Sequence, residues 1–169
     1  MKKYSPYILP ALVFAVVLLL VFRWYNNRTQ PVPRGELFGE GVQVEDLTDQ
    51  EARSIATGTS QTIKTVDMTA ADEAPEGTAM VRYEVKDDKV RFSVIADVPE
   101  PESEYYVWLK EVGGDAVRQA FTLEMGKGGY VGSAALPANL LPFEVLISNS
   151  SDSAQALEKP LYTGTITKE

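Results

Sequence analysis

The chain has 24 carboxylates, 16 lysines and arginines, and neither histidine nor cysteine. Acid–base chemistry would therefore fall to Asp, Glu, Lys and Tyr, which need burial or like-charge pairing to titrate near neutrality. Disulfides, Cys/His zinc sites and Ser-His-Asp or Cys-His catalytic arrangements are excluded. Two groups of residues could still do something specific. Asp97, Glu100, Glu102 and Glu104 form an acidic run of the kind calcium prefers. Pro99 and Pro101 bias that run to an extended form with three residues per turn, so alternate side chains diverge by about 120°. The spacing of a calcium-binding loop is absent, and a solvated turn is expected. The second group is Tyr105, Tyr106 and Trp108. A small domain needs large buried aromatics, so Trp108 is expected to anchor the core with Tyr106 beside it. An exposed binding platform is the alternative. No phosphate loop or nucleotide fingerprint occurs; Gly126–Gly129 has the composition of a hairpin turn. No catalytic, metal or cofactor residue is assigned. A carboxylate-based hydrolase stays as an alternative with no pair of acids to carry it.

Charge is divided along the chain. Residues 1–34 hold Lys2, Lys3, Arg23, Arg28 and Arg34 and no acid, which leaves 11 basic and 24 acidic residues beyond them, a net of −13. So acidic a body repels nucleic acid. Tyr4 to Phe22 carries no charge over 19 residues. As a helix it would cover about 28 Å, close to the hydrocarbon thickness of a bilayer. Twelve Leu, Ile, Val or Phe lie between Ile8 and Phe22. Tyr4 and Tyr7 before the run, with Trp24 and Tyr25 after it, match interfacial aromatic belts. The run ends in Val21-Phe22-Arg23-Trp24-Tyr25, which offers no small-x-small cleavage site. Residues 1–25 therefore read as an uncleaved, single-pass membrane anchor with a short cytoplasmic N-terminus.

Residues 26–60 read as a tether, interrupted by Pro31, Pro33, Gly35, Gly39 and Gly41. Within it Thr48-Asp-Gln-Glu51 is a capping box, which predicts a short helix over 48–56 that stops at Gly58. From residue 61 to 169 the period changes to two. Ala79, Val81, Tyr83 and Val85 alternate with polar residues, and so do Val90, Phe92, Val94 and Ala96. Asp87-Asp88 joins them as a hairpin. Further strands are expected at 104–112, 117–124, 130–136, 143–148 and 161–166. In the fourth of these seven, Val117, Phe121 and Leu123 share a face. Seven or eight short strands between Gly, Pro and Asp turns predict an all-β, antiparallel, immunoglobulin-like sandwich.

Several of these residues carry a resemblance. Gly77–Val85, Val90–Pro99, Tyr106-x-Trp108, Tyr130–Gly132, Phe143-Glu-Val-Leu-Ile-Ser148 and Gly164 follow the order of small residues and aromatics in the C-terminal extracytoplasmic domain of anti-sigma-K factors. Residues about 77–166 resemble that domain, with Tyr106, Trp108, Gly132 and Gly164 as the fold signature. The resemblance implies a sandwich placed outside the cytoplasmic membrane after a single span, which sets the orientation. In that family a cytoplasmic sigma-binding domain precedes the span. Met1-Lys2-Lys3 cannot bury a sigma factor, so the resemblance implies fold and location without anti-sigma activity. The expected role is a membrane-anchored interaction or sensing module of a bacterial envelope, with another envelope protein as partner and no nucleic acid. A structural or assembly factor acting partly through its span is the alternative.

Overall fold

The computed structural model describes residues 44–168. The expected anchor with Tyr4, Tyr7, Trp24 and Tyr25 at its edges, and the first part of the expected tether, lie outside the described residues. Among those described, no helix is long and apolar enough to cross a membrane.

The fold is all-β, built from two antiparallel sheets. In chain order the elements are β1 (Glu45–Asp46), α1 (Asp49–Thr57), β2 (Lys64–Asp67), β3 (Thr69–Ala70), β4 (Thr78–Lys86), β5 (Lys89–Asp97), β6 (Tyr106–Glu111), β7 (Val117–Thr122), β8 (Glu124–Gly126), β9 (Gly129–Pro137), a 3-10 turn (Ala138–Leu140), β10 (Phe143–Ser148), α2 (Ser153–Glu158) and β11 (Tyr162–Ile166). The first sheet runs β1-β9-β5-β4-β2, with β8 sharing the outer edge of β9; the second runs β3-β11-β10-β6-β7. The chain changes sheet twice through a single buried residue, Met68 between β2 and β3 and Leu123 between β7 and β8.

The period-two pattern gives the core directly. Val81, Tyr83, Phe92, Val94 and Ala134 of the first sheet meet Val107, Leu109, Phe143, Val145, Ile147 and Ile166 of the second in one buried cluster. Phe92 is edge-on to Phe143 at 5.9 Å and tilted against Phe121 at 5.7 Å. Tyr105 and Tyr162 are buried too, and their hydroxyls donate to the carbonyls of Pro99 (2.9 Å) and Pro75 (2.7 Å). These bonds tie two proline loops to the core, and burial raises both phenol pKa values.

The chain forms eleven strands among the described residues, against seven or eight expected. The additions are β1, β2, β3 and β8, all four residues or shorter. The end of the expected tether is also ordered against the sheet. Glu45 and Asp46 pair with Ala135 and Ala134 on β9, and α1 buries Ile55. Val85, expected on the buried face, is 44% exposed where β4 runs out into its turn.

That turn is Asp87-Asp88, between the paired Lys86 and Lys89. Both aspartates have positive φ, 53° and 58°, the pattern of a type I′ turn, whose twist matches that of the strands. Aspartate tolerates this region better than most residues, yet less well than glycine. Glycine avoids the left-handed penalty at φ 58°, and this relief slightly exceeds its greater freedom in the unfolded chain, so Asp88→Gly is expected to stabilise the fold by about 0.5 kcal/mol. A denaturant midpoint that falls instead would show that the Asp88 side chain holds the turn.

Candidate functional site

Each sheet carries a helix on its outer face. On the first sheet this is α1. Thr48 and Glu51 form the reciprocal capping box: the Glu51 amide donates to Thr48 Oγ1 (3.4 Å), and Thr48 N and Oγ1 donate to Glu51 Oε2 (3.3 and 2.7 Å). Gly58 closes the helix in the left-handed region at φ 67°, as helix C-termini commonly require. Two arginines fasten it. Arg82 on β4 donates to the carbonyl of Ala56 at the helix C-terminus. Arg91 on β5 lies 3.5 Å from Glu84, 3.7 Å from Glu51 and 3.9 Å from Asp87. Outward-facing Ser93 and Ser133 are cross-strand partners, with hydroxyl oxygens 2.6 Å apart, and Ser93 is fully buried.

Glu51 links this docking to pH. The Thr48 hydrogen bonds, aided by the weaker pull of the Arg91 and Lys86 charges, hold its carboxyl below the ordinary value of 4.5 despite the opposing effect of burial. A depressed folded-state pKa contributes stability that is complete above the unfolded value and disappears as pH falls through the folded one. The thermal midpoint should therefore fall less steeply below about pH 4.5 in Glu51→Gln than in the native chain. Parallel pH profiles for the two proteins would contradict the assignment.

Two adjoining clefts open along α1, on the side of the β8–β9 hairpin. One, of about 550 Å³, is lined by Asp46, Asp49, Arg53, Phe121, Glu124 and Ser133, among others. It lies where β9 has no strand on its outer edge: β8 pairs as far as Val131 and β1 begins at Ala134. The other, of about 700 Å³, lies between the last turn of α1 and Gly126-Lys-Gly-Gly129. The cross-strand pair Ile95 and Val131 lines it, with Ala56 from the helix and Arg53 and Lys127 as its charged residues. Arg53, Ala56 and Val131 belong to both clefts, so they form one groove with an acidic end and an apolar end.

The residues singled out in the sequence are not brought together here. Trp108 is 5% exposed but lies outside the inter-sheet core, which corrects the expected core anchor. On β6, Val107 and Leu109 face the core, so Trp108 faces outward and packs with Leu146 and Ala156 under α2, the helix on the second sheet. Tyr106 packs beside it and donates to Glu104 at 3.1 Å. That bond raises the phenol pKa. The Trp108 indole donates to the carbonyl of Ser150 at 3.3 Å. Asp152 caps α2, accepting from the amides of Ala154 (2.8 Å) and Gln155 (3.4 Å).

Gly132 and Gly164 are packing positions at opposite ends of the core. A Cβ on Gly132 would lie 2.5 Å from the Phe121 ring, and one on Gly164 would lie 3.1 Å from Met68 Cγ. Asp97, Glu100, Glu102 and Glu104 are exposed. Among the described residues no group of three acids is placed to hold a metal ion. The groove itself was not visible in the sequence. It depends on α1 lying against β5, about forty residues further on, and beside the β8–β9 hairpin, more than seventy residues on, and the only local signal was the capping box.

Comparison with protein-family models, curated proteins and solved structures finds no match.

Proposed function

We propose that this chain is a membrane-anchored, extracytoplasmic binding module of a bacterial envelope that engages its target through the groove beside α1. The observation that carries the reading is the groove: an apolar floor, Ile95 and Val131, left open between a docked helix and a glycine-rich hairpin turn. Volumes of several hundred Å³ with mostly apolar walls and a few charged residues are typical of ligand sites. The uncharged stretch from Tyr4 to Phe22 supports the anchor, and the resemblance to the outer domain of anti-sigma-K factors supports the orientation.

The finer fold assignment belongs to the same proposal. Strand neighbours β4-β5-β9-β8 and β11-β10-β6-β7 follow the A-B-E-D and G-F-C-C′ order of an immunoglobulin-like sandwich. On that assignment β2 and β3 are an added N-terminal strand split between the sheets.

Photo-crosslinking in membranes tests the binding role. With a photoreactive residue in place of Thr57 or Lys127, the full chain should give one adduct of defined mass. Val112, exposed in the turn after β6, serves as the control position and should give none. Ile95→Trp, which fills the cleft, should remove the adduct. Equal trapping from Val112, or trapping indifferent to Ile95→Trp, would contradict a role for the groove.

A further inference from the structure

We propose that the apolar end of the groove takes a single-chain anionic amphiphile, an acyl chain bearing one carboxylate. The inference rests on reading the groove as a binding site and names its ligand. Three observations converge. First, the cleft lining combines apolar side chains (Ile95, Val131 and Ala56) with the glycine-rich backbone of the β8–β9 turn, in a volume of about 700 Å³. Such a space suits an alkyl chain and offers few hydrogen-bonding groups along its length.

Second, the charged residues that line it, Arg53 and Lys127, are both cations. They sit on a body whose residues beyond 34 carry a net of −13. Neither makes an ion pair or a side-chain hydrogen bond among the described residues, whereas Lys89, Arg91, Lys110 and Lys159 are each paired with an acid.

Third, the acids Asp46, Asp49 and Glu124 line only the neighbouring cleft, beyond Arg53. An anionic head group is thus favoured in the apolar cleft, which Arg53 and Lys127 both line, and repelled from the neighbouring acidic one. A guanidinium offers paired donors to a carboxylate, and the ammonium adds a mobile charge. Because both cations are exposed, the head group stays near water while the chain is covered.

The test uses the full chain in nanodiscs of zwitterionic phospholipid, so that the bilayer supplies no net anionic lipid. The probe is a palmitic acid analogue carrying a diazirine on its chain, compared with its methyl ester, and labelled peptides are mapped by mass spectrometry. The acid should label residues 53–57 and 126–131, and unlabelled palmitate should compete. Labelling should drop at least tenfold with the ester, and likewise with the acid in the Arg53→Gln/Lys127→Gln double variant. Equal labelling by ester and acid, or by native chain and double variant, would overturn the ligand class while leaving the groove a binding site. Absence of groove labelling, with the crosslinker at Thr57 still trapping a target, would overturn the amphiphile and retain the binding role. Absence of both signals would overturn the two together.

Discussion

Trp108→Ala should lower stability by about 3–5 kcal/mol, the range for deleting a large buried aromatic. Small domains hold only about 5–15 kcal/mol in total, so much of the margin would go. The position of Trp108 makes the expected result more specific than a loss of midpoint. Its ring packs with Leu146 and Ala156 and is covered by α2, and its indole donates to Ser150. Removing it takes the floor from under α2 and leaves the inter-sheet cluster around Phe92 and Phe143 complete. Hydrogen exchange should therefore accelerate first over Ser153–Glu158, while amides of β5 and β9 stay protected up to the global transition. An unchanged thermal midpoint would show that Trp108 contributes no packing. Uniform loss of protection across both sheets would show that the outer cluster and the core unfold as one unit.

Gly129→Ala is expected to be nearly as damaging for a different reason. Gly129 has φ 108°, and a Cβ there would lie 2.4 Å from the carbonyl oxygen of Ala96. That oxygen belongs to β5, the strand paired with β9, so it cannot retreat without disturbing the ladder. The strained backbone alone costs about 1–3 kcal/mol, and with the clash a loss of about 3 kcal/mol or more is expected. For a domain of this size that is a fall of about 10 °C or more in thermal midpoint. Gly128, one residue earlier, has nothing within 4 Å of its Cβ position. Gly128→Ala should change stability by no more than about 0.5 kcal/mol. Similar losses at both positions would mean that composition of the turn, rather than the close approach at Gly129, sets its stability.

The contrast between these glycines also shows which features the amino-acid sequence carries openly. The long strands announce themselves by period two: β4 and β5 bury Ala79, Val81, Tyr83, Phe92 and Val94 along faces that alternation alone identifies. Strands of two to four residues, such as β1 and β3, are too short to show a period. Their partners, β9 and β11, are some ninety residues away. The outer faces were harder still. Tyr106-Val-Trp-Leu109 is apolar on both sides, so nothing local says which side meets the other sheet. α2, which covers Trp108, is a six-residue helix with little pattern beyond its Asp152 cap.

On β7 the alternation misleads. The register shifts at Val107/Trp108, so that Val107 faces Phe121 while Trp108 faces Gln119. The extra residue puts Val117 with the outer cluster and Phe121 with the core, although their spacing predicts a shared face. A bulge of this kind leaves no periodic trace. The groove has the same long-range origin: Arg53 and Lys127 converge on one cleft only because α1 docks through Arg82 and Arg91 and the β8–β9 hairpin turns back beside it.

Protease accessibility measures directly whether the domain is held outside the membrane by one uncleaved span, as proposed. In intact spheroplasts expressing the full chain, added protease should remove the C-terminal domain. The chain should also resist extraction by carbonate and high salt, with its N-terminus still at Met1 or Lys2. Protection of the domain until the membrane is lysed, or recovery of a mature form that starts near residue 25, would contradict the account.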